Sequence, residues 1–259
     1  MLKPRAVLSA NPSESFRLPQ PSADPRQNRL LAALPATELE QLLPALDPVA
    51  LPLGRVVYEA GRAQSYIYFP TTAIVSMLNV MSDGAAAEIA VVGNEGLVGV
   101  ALFMGGETTP SRAVVRSAGH GYRMKGALLK REFRRGGPLQ LLLLRFTQAL
   151  MTQMSQTVLC TRHHSVDQQL CRWLLLSLDR LSVPEIAATQ EMIASILGLR
   201  RAGVTRAAGD LQRAGLVRYS RGRIAVLDRT ALERRVCECY RVLRTEYDRL
   251  LPRPHQKKE

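Results

Sequence analysis

Acidic side chains are scarce in this sequence, and so are cysteines. Of 259 residues, 22 are Asp or Glu against 35 Lys or Arg, a formal net charge of +13. That balance points to a polyanionic partner, nucleic acid first and an anionic membrane second. The four cysteines, at 160, 171, 237 and 239, are too few and too unevenly spaced for a disulfide framework, and they read as reduced thiols. No apolar run reaches the roughly 18–20 residues of a membrane span. The opening residues lack the apolar core of a secretory signal. A cytoplasmic protein with no membrane partner is the expectation. Also missing are a Gly-rich phosphate loop, a His/Cys/Asp set at metal-binding spacing and a nucleophile with a base beside it. No catalytic residue is assigned, and Glu88, Glu95 and Glu107 read as solvated or turn carboxylates. Placed on one helix, Cys237 and Cys239 would send their thiols to different faces, and the adjacent His163 and His164 diverge likewise. Either pair could assist a metal site, but helix-surface or core roles are favoured, so no metal site and no cofactor are expected.

What the sequence does contain centres on Thr189 to Arg223. Thr189 is a good N-cap, since its hydroxyl can accept from a free backbone N–H of the first turn. Met192, Ile193, Ile196 and Leu197 form one apolar stripe at helical period, and Gly198 is a helix stop. A second helix follows from about Arg200 to Ala214, with Val204, Ala207, Ala208 and Leu211 inward and Arg200, Arg201 and Arg206 outward. Leu216 to Tyr219 and Ile224 to Leu227 read as two short strands around the turn Ser220-Arg221-Gly222-Arg223. This is a winged helix-turn-helix, whose second helix enters the major groove of DNA. From Arg200 to Arg223 there are seven arginines against one acid, Asp210. An arginine fork can bond guanine O6 and N7 together, or meet a phosphate.

Upstream, residues 1–27 are rich in proline and serine and read as a disordered arm. Residues 28–135 begin with leucine-rich helical pieces interrupted by Pro35 and Pro44. Short β-type segments then follow from Val49 to about Lys125, separated by turn signals such as Ser82-Asp83-Gly84. Strands at such spacing predict an antiparallel β-roll, jelly-roll-like sensor domain. Residues 137–164 form one long helix with two apolar stripes. Leu143, Phe146, Leu150, Met154 and Val158 recur as one stripe, its first four residues assigned to a dimer seam, and Leu139, Leu142, Ala149 and Gln153 run beside it; the alternative is a core helix buried on both sides by its own chain. The winged helix-turn-helix domain spans 165–228. A last helix, capped by Asp228, and a basic tail occupy 229–259. The fold class is α+β.

In its order of parts, the chain resembles the Crp/Fnr family of bacterial transcription regulators. The motif T-x-E-x-I-A-x-x-L-G-x-x-R-x-x-V-T-R stands here as Thr189 to Arg206, and the β-roll resemblance rests on L-P-L-G-R-V-V-Y-E-A-G and on S-D-G. The resemblance implies a homodimer joined by the long helix, bound to a two-fold symmetric operator on double-stranded DNA and touching RNA polymerase. It implies that Arg201 and Arg206 read bases, with Ala202 standing where the family carries a glutamate. Thr189 and Arg200 fit phosphate-contact positions, and Arg218, Arg221 and Arg223 of the wing are assigned to phosphates as well. The family's cyclic-nucleotide cassette has G-E near its start and R-S near its end. Here the corresponding residues are Gly99, Val100, Ser111 and Arg112, which breaks the pattern and implies that cyclic AMP is not the controlling ligand. The N-terminal cysteine group of the family's iron–sulfur sensors has no counterpart, since the first cysteine is Cys160. The alternative left open is a ligand-gated regulator whose β-roll binds a cyclic nucleotide or another small effector.

Overall fold

A computed structural model describes residues 24–181 and 185–251. Most of the expected disordered arm, and the basic tail beyond 251, lie outside the described residues. The arm's last four residues are ordered instead: Asp24 caps a 3-10 turn at Pro25–Gln27. Asn28 then ties the chain down. Its carbonyl oxygen accepts from the backbone of Leu30 and Leu31, and its amide donates to the carbonyls of Pro70 and Gly96 at 2.9 and 2.8 Å. Two short helices follow, α1 (Arg29–Ala32) and α2 (Ala36–Leu42), with Pro35 as the break between them.

The β-roll contains β1 (Asp47–Leu51), β2 (Val56–Tyr58), β3 (Tyr66–Pro70), β4 (Ile74–Val80) and β5 (Ala86–Val92). After a one-turn helix, α3 (Ala101–Met104), come β6 (Ser111–Ser117) and β7 (Gly119–Lys125). They make two antiparallel sheets, ordered β1-β7-β3 and β2-β6-β4-β5. Alternating apolar residues of both sheets, among them Ile67, Phe69, Val75, Met77, Val115 and Met124, meet in one core. Helix α4 (Gly126–Arg135) leads to α5 (Pro138–His163).

Phe146 of α5 is fully buried. Its ring fills the space where Gly96 has no side chain: a Cβ there would lie 2.1 Å from it. The Gln153 amide bonds both backbone groups of Val91, at 2.9 and 3.1 Å, and so satisfies the free edge of β5. These contacts correct the expected seam. Leu143, Phe146 and Leu150 are at most 2 % exposed, and Met154 packs against the same core. The stripe taken for a dimer seam is occupied within the chain.

The second domain starts at α6 (Val166–Leu178), opened by a Ser165/Gln168 capping box. It continues through β8 (Glu185–Ala187), α7 (Gln190–Leu197), α8 (Arg201–Arg213), β9 (Val217–Ser220) and β10 (Arg223–Val226). The small sheet is ordered β8-β10-β9. Trp173, Ile193, Val204, Leu211 and Ile224 share its core. Asp228 caps α9 (Arg229–Arg235) as expected, but the single terminal helix is broken. Val236 and Cys237 are extended, and Cys237 is the N-cap of a separate helix, α10 (Glu238–Leu250). This helix returns to α5, where Tyr247 and Leu250 join the first core.

Two buried ion pairs stand at the joint between the domains. Arg180, just after α6, meets Glu95 at 2.7 Å with both side chains 5 % exposed. Gly93 makes room for the stem of Arg180, since a Cβ there would lie 2.8 Å from it. Arg116 of β6 pairs with Glu88 at 3.2 Å, donates to Ser177 of α6 at 2.9 Å and lies over the Trp173 ring. Burial opposes the charge on both arginines. For Arg180, Glu95 with Tyr247 and Asp179 more than offsets it and raises the pKa, whereas Arg116 is left lowered despite Glu88. Glu88 and Glu95, expected as solvated or turn carboxylates, are therefore interior partners of arginines.

Replacing Gly96 by Ala is expected to destabilise the protein by about 1–3 kcal/mol through overpacking against Phe146. Arg180→Met should cost about 3–5 kcal/mol, because it strands the buried Glu95, and adding Glu95→Leu should recover most of the loss. Denaturant unfolding measures all three. A loss below about 1 kcal/mol for Arg180→Met would contradict a dry pair.

Candidate nucleic-acid interface

Local sequence builds the recognition unit. The Thr189 hydroxyl accepts from the Met192 backbone at 3.1 Å and starts α7. Gly198 ends it in the left-handed conformation, φ +64°, which only a residue without a Cβ adopts at little cost. Arg200 is the N-cap of α8 and provides no side-chain cap. The first turn of α8 therefore offers free N–H groups and the positive end of the helix dipole, a setting suited to a phosphate.

Val204, Ala207, Ala208 and Leu211 are buried, which turns the opposite face of α8 outward. Arg201, Ala202, Thr205 and Arg206 all lie exposed on it. Arg201 has an exposed partner in Glu191 at 3.6 Å, and Thr205 donates to Gln190 at 2.6 Å. Arg206 makes no hydrogen bond or ion pair among the described residues. Arg201, Ala202 and Arg206 are all open to solvent over the first turn and a half of the helix.

The wing is a two-residue hairpin between β9 and β10. Arg221 and Gly222 have φ values of +47° and +75°, the pairing that a type I′ turn requires. An arginine is an uncommon choice there, and its left-handed backbone costs about 1–2 kcal/mol. Arg218 and Arg221 are exposed. Arg223 is exposed too, but it pairs with Glu185 of β8 at 2.8 Å. The wing is fixed to α8 by Gln212, whose side chain accepts from the Tyr219 backbone at 2.8 Å. It is fixed to the start of α7 by the Tyr219 hydroxyl, which donates to the Ala188 carbonyl.

In the β-roll, the residues of the broken cassette are occupied with one another's neighbours. Gly99 has φ +114° just before α3, and Val100 follows half-buried. Ser111 hydrogen-bonds Thr109 and Tyr58, and the Arg112 guanidinium pairs with Glu59 at 3.2 Å.

A different constellation, whose members the sequence reading did not bring together, lies at the base of the second domain. The ligand atoms of Cys160, His164, Cys237 and Cys239 all fall within 4.8 Å of one another. The divergence expected of Cys237 and Cys239 assumed a continuous helix. Cys237 is extended, so the two thiols can converge. The signal available in the sequence was two close pairs, 160/164 and 237/239, with no local hint that they meet.

Residues 168–235 match the family model described as a Crp-like helix-turn-helix domain. No curated protein matches the chain in sequence. Among solved structures, FixK2 from Bradyrhizobium japonicum is 17 % identical with a TM-score of 0.62, over 74 % of this chain and 98 % of that one. A CRP-family transcriptional regulator from Thermus thermophilus is 18 % identical with a TM-score of 0.60, over 73 % and 95 %. The c-di-GMP responsive global regulator CLP from Xanthomonas campestris is 15 % identical with a TM-score of 0.57, over 75 % and 100 %. These likenesses establish the fold: β-roll, long helix and winged helix in the same order. Among the described residues, no helix is long and apolar enough to cross a membrane. Residues 168–235 thus belong to the Crp-like helix-turn-helix domain family, a DNA-binding domain, and the whole chain shares the fold of these Crp/Fnr-type regulators.

Proposed function

We propose that the protein is a cytoplasmic homodimer that binds a two-fold symmetric operator through α8 and the wing, and that it does so without cyclic AMP. One observation carries the dimer. On α5 the large apolar residues left exposed are Leu141, Leu144, Met151, Val158 and Leu159. Four of them, with Gln148 and Ser155 between, follow the alternating spacing of three and four that defines a coiled-coil seam: 141, 144, 148, 151, 155, 158. A second copy presents the same stripe, so a parallel two-fold pairing buries both. The polar Gln148 and Ser155 at seam positions favour one register.

In such a dimer the two α8 helices enter successive major grooves about 34–36 Å apart. Arg201 and Arg206 then face base edges, and Ala202 leaves no carboxylate to accept from cytosine. Arg200, Arg218 and Arg221, with Thr189 at the helix start, serve phosphates, and Arg223 does so through its exposed remainder beside Glu185. Independence from cyclic AMP rests on Val100, which stands where a ribose-binding glutamate is expected, and on Arg112, displaced by one strand position and facing Glu59 at 3.2 Å. Contact with RNA polymerase is part of the same reading.

Leu144→Glu with Met151→Glu should convert the dimer to monomer in sedimentation and weaken binding to a two-half-site operator by about 10²–10⁴-fold. Retention of the dimer would remove this seam. Arg206→Ala should cost about 1–3 kcal/mol and relax preference at one base pair, whereas an equal loss on every sequence would make it a phosphate contact. Arg221→Asn should relieve about 1 kcal/mol of backbone strain while lowering the salt slope of binding by about 1. An unchanged slope would take the wing out of the interface.

A further inference from the structure

We propose that Cys160, His164, Cys237 and Cys239 form a tetrahedral Cys3His site for zinc, which clips both ends of the DNA-binding domain to the end of α5.

The geometry fits that ion. Cys160 Sγ lies 3.7 Å from Cys237 Sγ, and Cys239 Sγ lies 3.5 Å from His164 Nδ1. Zn–S bonds of about 2.3 Å and a Zn–N bond of about 2.0–2.1 Å, at tetrahedral angles, require S···S and S···N edges of about 3.8 and 3.6 Å. The three cysteines are buried, packed with Val236 into a small cluster of their own. The donor set, three soft thiolates and one imidazole, selects zinc over the oxygen-seeking cations.

The surroundings complete the site. His164 turns Nδ1 toward the thiols, while Nε2 meets the Glu238 carboxylate at 3.3 Å. A carboxylate on the far nitrogen fixes the tautomer that leaves Nδ1 free to ligate, the arrangement found behind most metal-bound histidines. Three thiolates around a divalent ion leave one negative charge. Arg172 is buried within electrostatic reach of Cys160 and Cys239, and its Nε has no hydrogen-bond partner among the described residues. Its cation balances that charge.

The position gives the site its role. Cys160 and His164 close α5 immediately before Ser165, where the DNA-binding domain begins. Cys237 and Cys239 stand just past α9, where that domain ends. An ion held by all four fixes the domain's entry to its exit and stiffens the connection through which α6 leaves the long helix. Metal occupancy is then an input to DNA binding that does not pass through the β-roll.

The test is a cobalt(II) titration of the full-length reduced protein without oxygen, followed by competition with zinc. The expected result is one equivalent of cobalt with the visible bands and thiolate charge transfer of a tetrahedral site, displaced by zinc. His164→Ala and Cys237→Ser should abolish the signal. His163→Ala, at the exposed neighbour, should keep it. Glu238→Gln should weaken affinity about 10–100-fold. Should the cysteine variant fail to fold, alkylation of the unmutated protein gives the answer. Labelling of Cys160, Cys237 and Cys239 should rise together when a chelator is added, with Cys171 unaffected. A fully reduced protein that takes up no cobalt, or one whose His164→Ala variant binds as the parent does, overturns the proposal. Neither readout involves DNA, so the site can fail while the regulator reading stands, and the reverse.

Discussion

Two carboxylates removed from water hold this molecule in one shape. Glu95 and Glu88 sit at the junction of β-roll and DNA-binding domain, and Arg180 and Arg116 answer them there. Buried ion pairs add little net stability compared with apolar packing, but losing one partner is severe. A shift of the second domain would leave Glu95 and Arg180 unpaired and take Ser177 and Trp173 from Arg116. The small residues Gly93 and Gly96 let Arg180 and Phe146 approach the backbone. Charge pairing and shape together, more than the short connection between α5 and α6, set the angle between the domains.

Helix α5 has three distinct surfaces because it serves three neighbours. Phe146 and Leu150 complete the β-roll core, Gln153 is shared between the edge of β5 and Tyr247 of α10, and the stripe from Leu141 to Val158 faces outward. The helix therefore connects the β-roll, the terminal helix and the proposed partner copy through one rigid body. Its last turn carries Cys160, so the same body reaches the thiol cluster.

The parts readable in the sequence are those decided locally. The cap at Thr189, the glycine stop at Gly198 and the apolar periodicity of α7 and α8 are short-range signals, and the structure follows them to within a residue. Strand Ile74–Val80 and its Ser82-Asp83-Gly84 turn were legible for the same reason. What depends on tertiary packing was not. Two apolar stripes on α5 were visible, and the chain's own core takes both; the outward stripe of Leu141, Leu144, Met151 and Val158 was not separated from them. The seam was assigned to Leu143, Phe146, Leu150 and Met154, which that core consumes. Glu88 and Glu95 looked like scattered charges because their arginines lie 28 and 85 residues away. The thiol cluster was hidden because Cys160 and Cys237 are 77 residues apart and a helix break brings them together.

In the proposed dimer, two copies of α8, held by α5, read two half-sites. Selection of random duplex DNA by the purified full-length protein, with no effector added and at several salt concentrations, tests it most directly. Enrichment of a two-fold symmetric motif with half-sites one helical turn, about 34–36 Å, apart is the expected result. Weak binding indifferent to sequence, disappearing uniformly as salt rises, would contradict it.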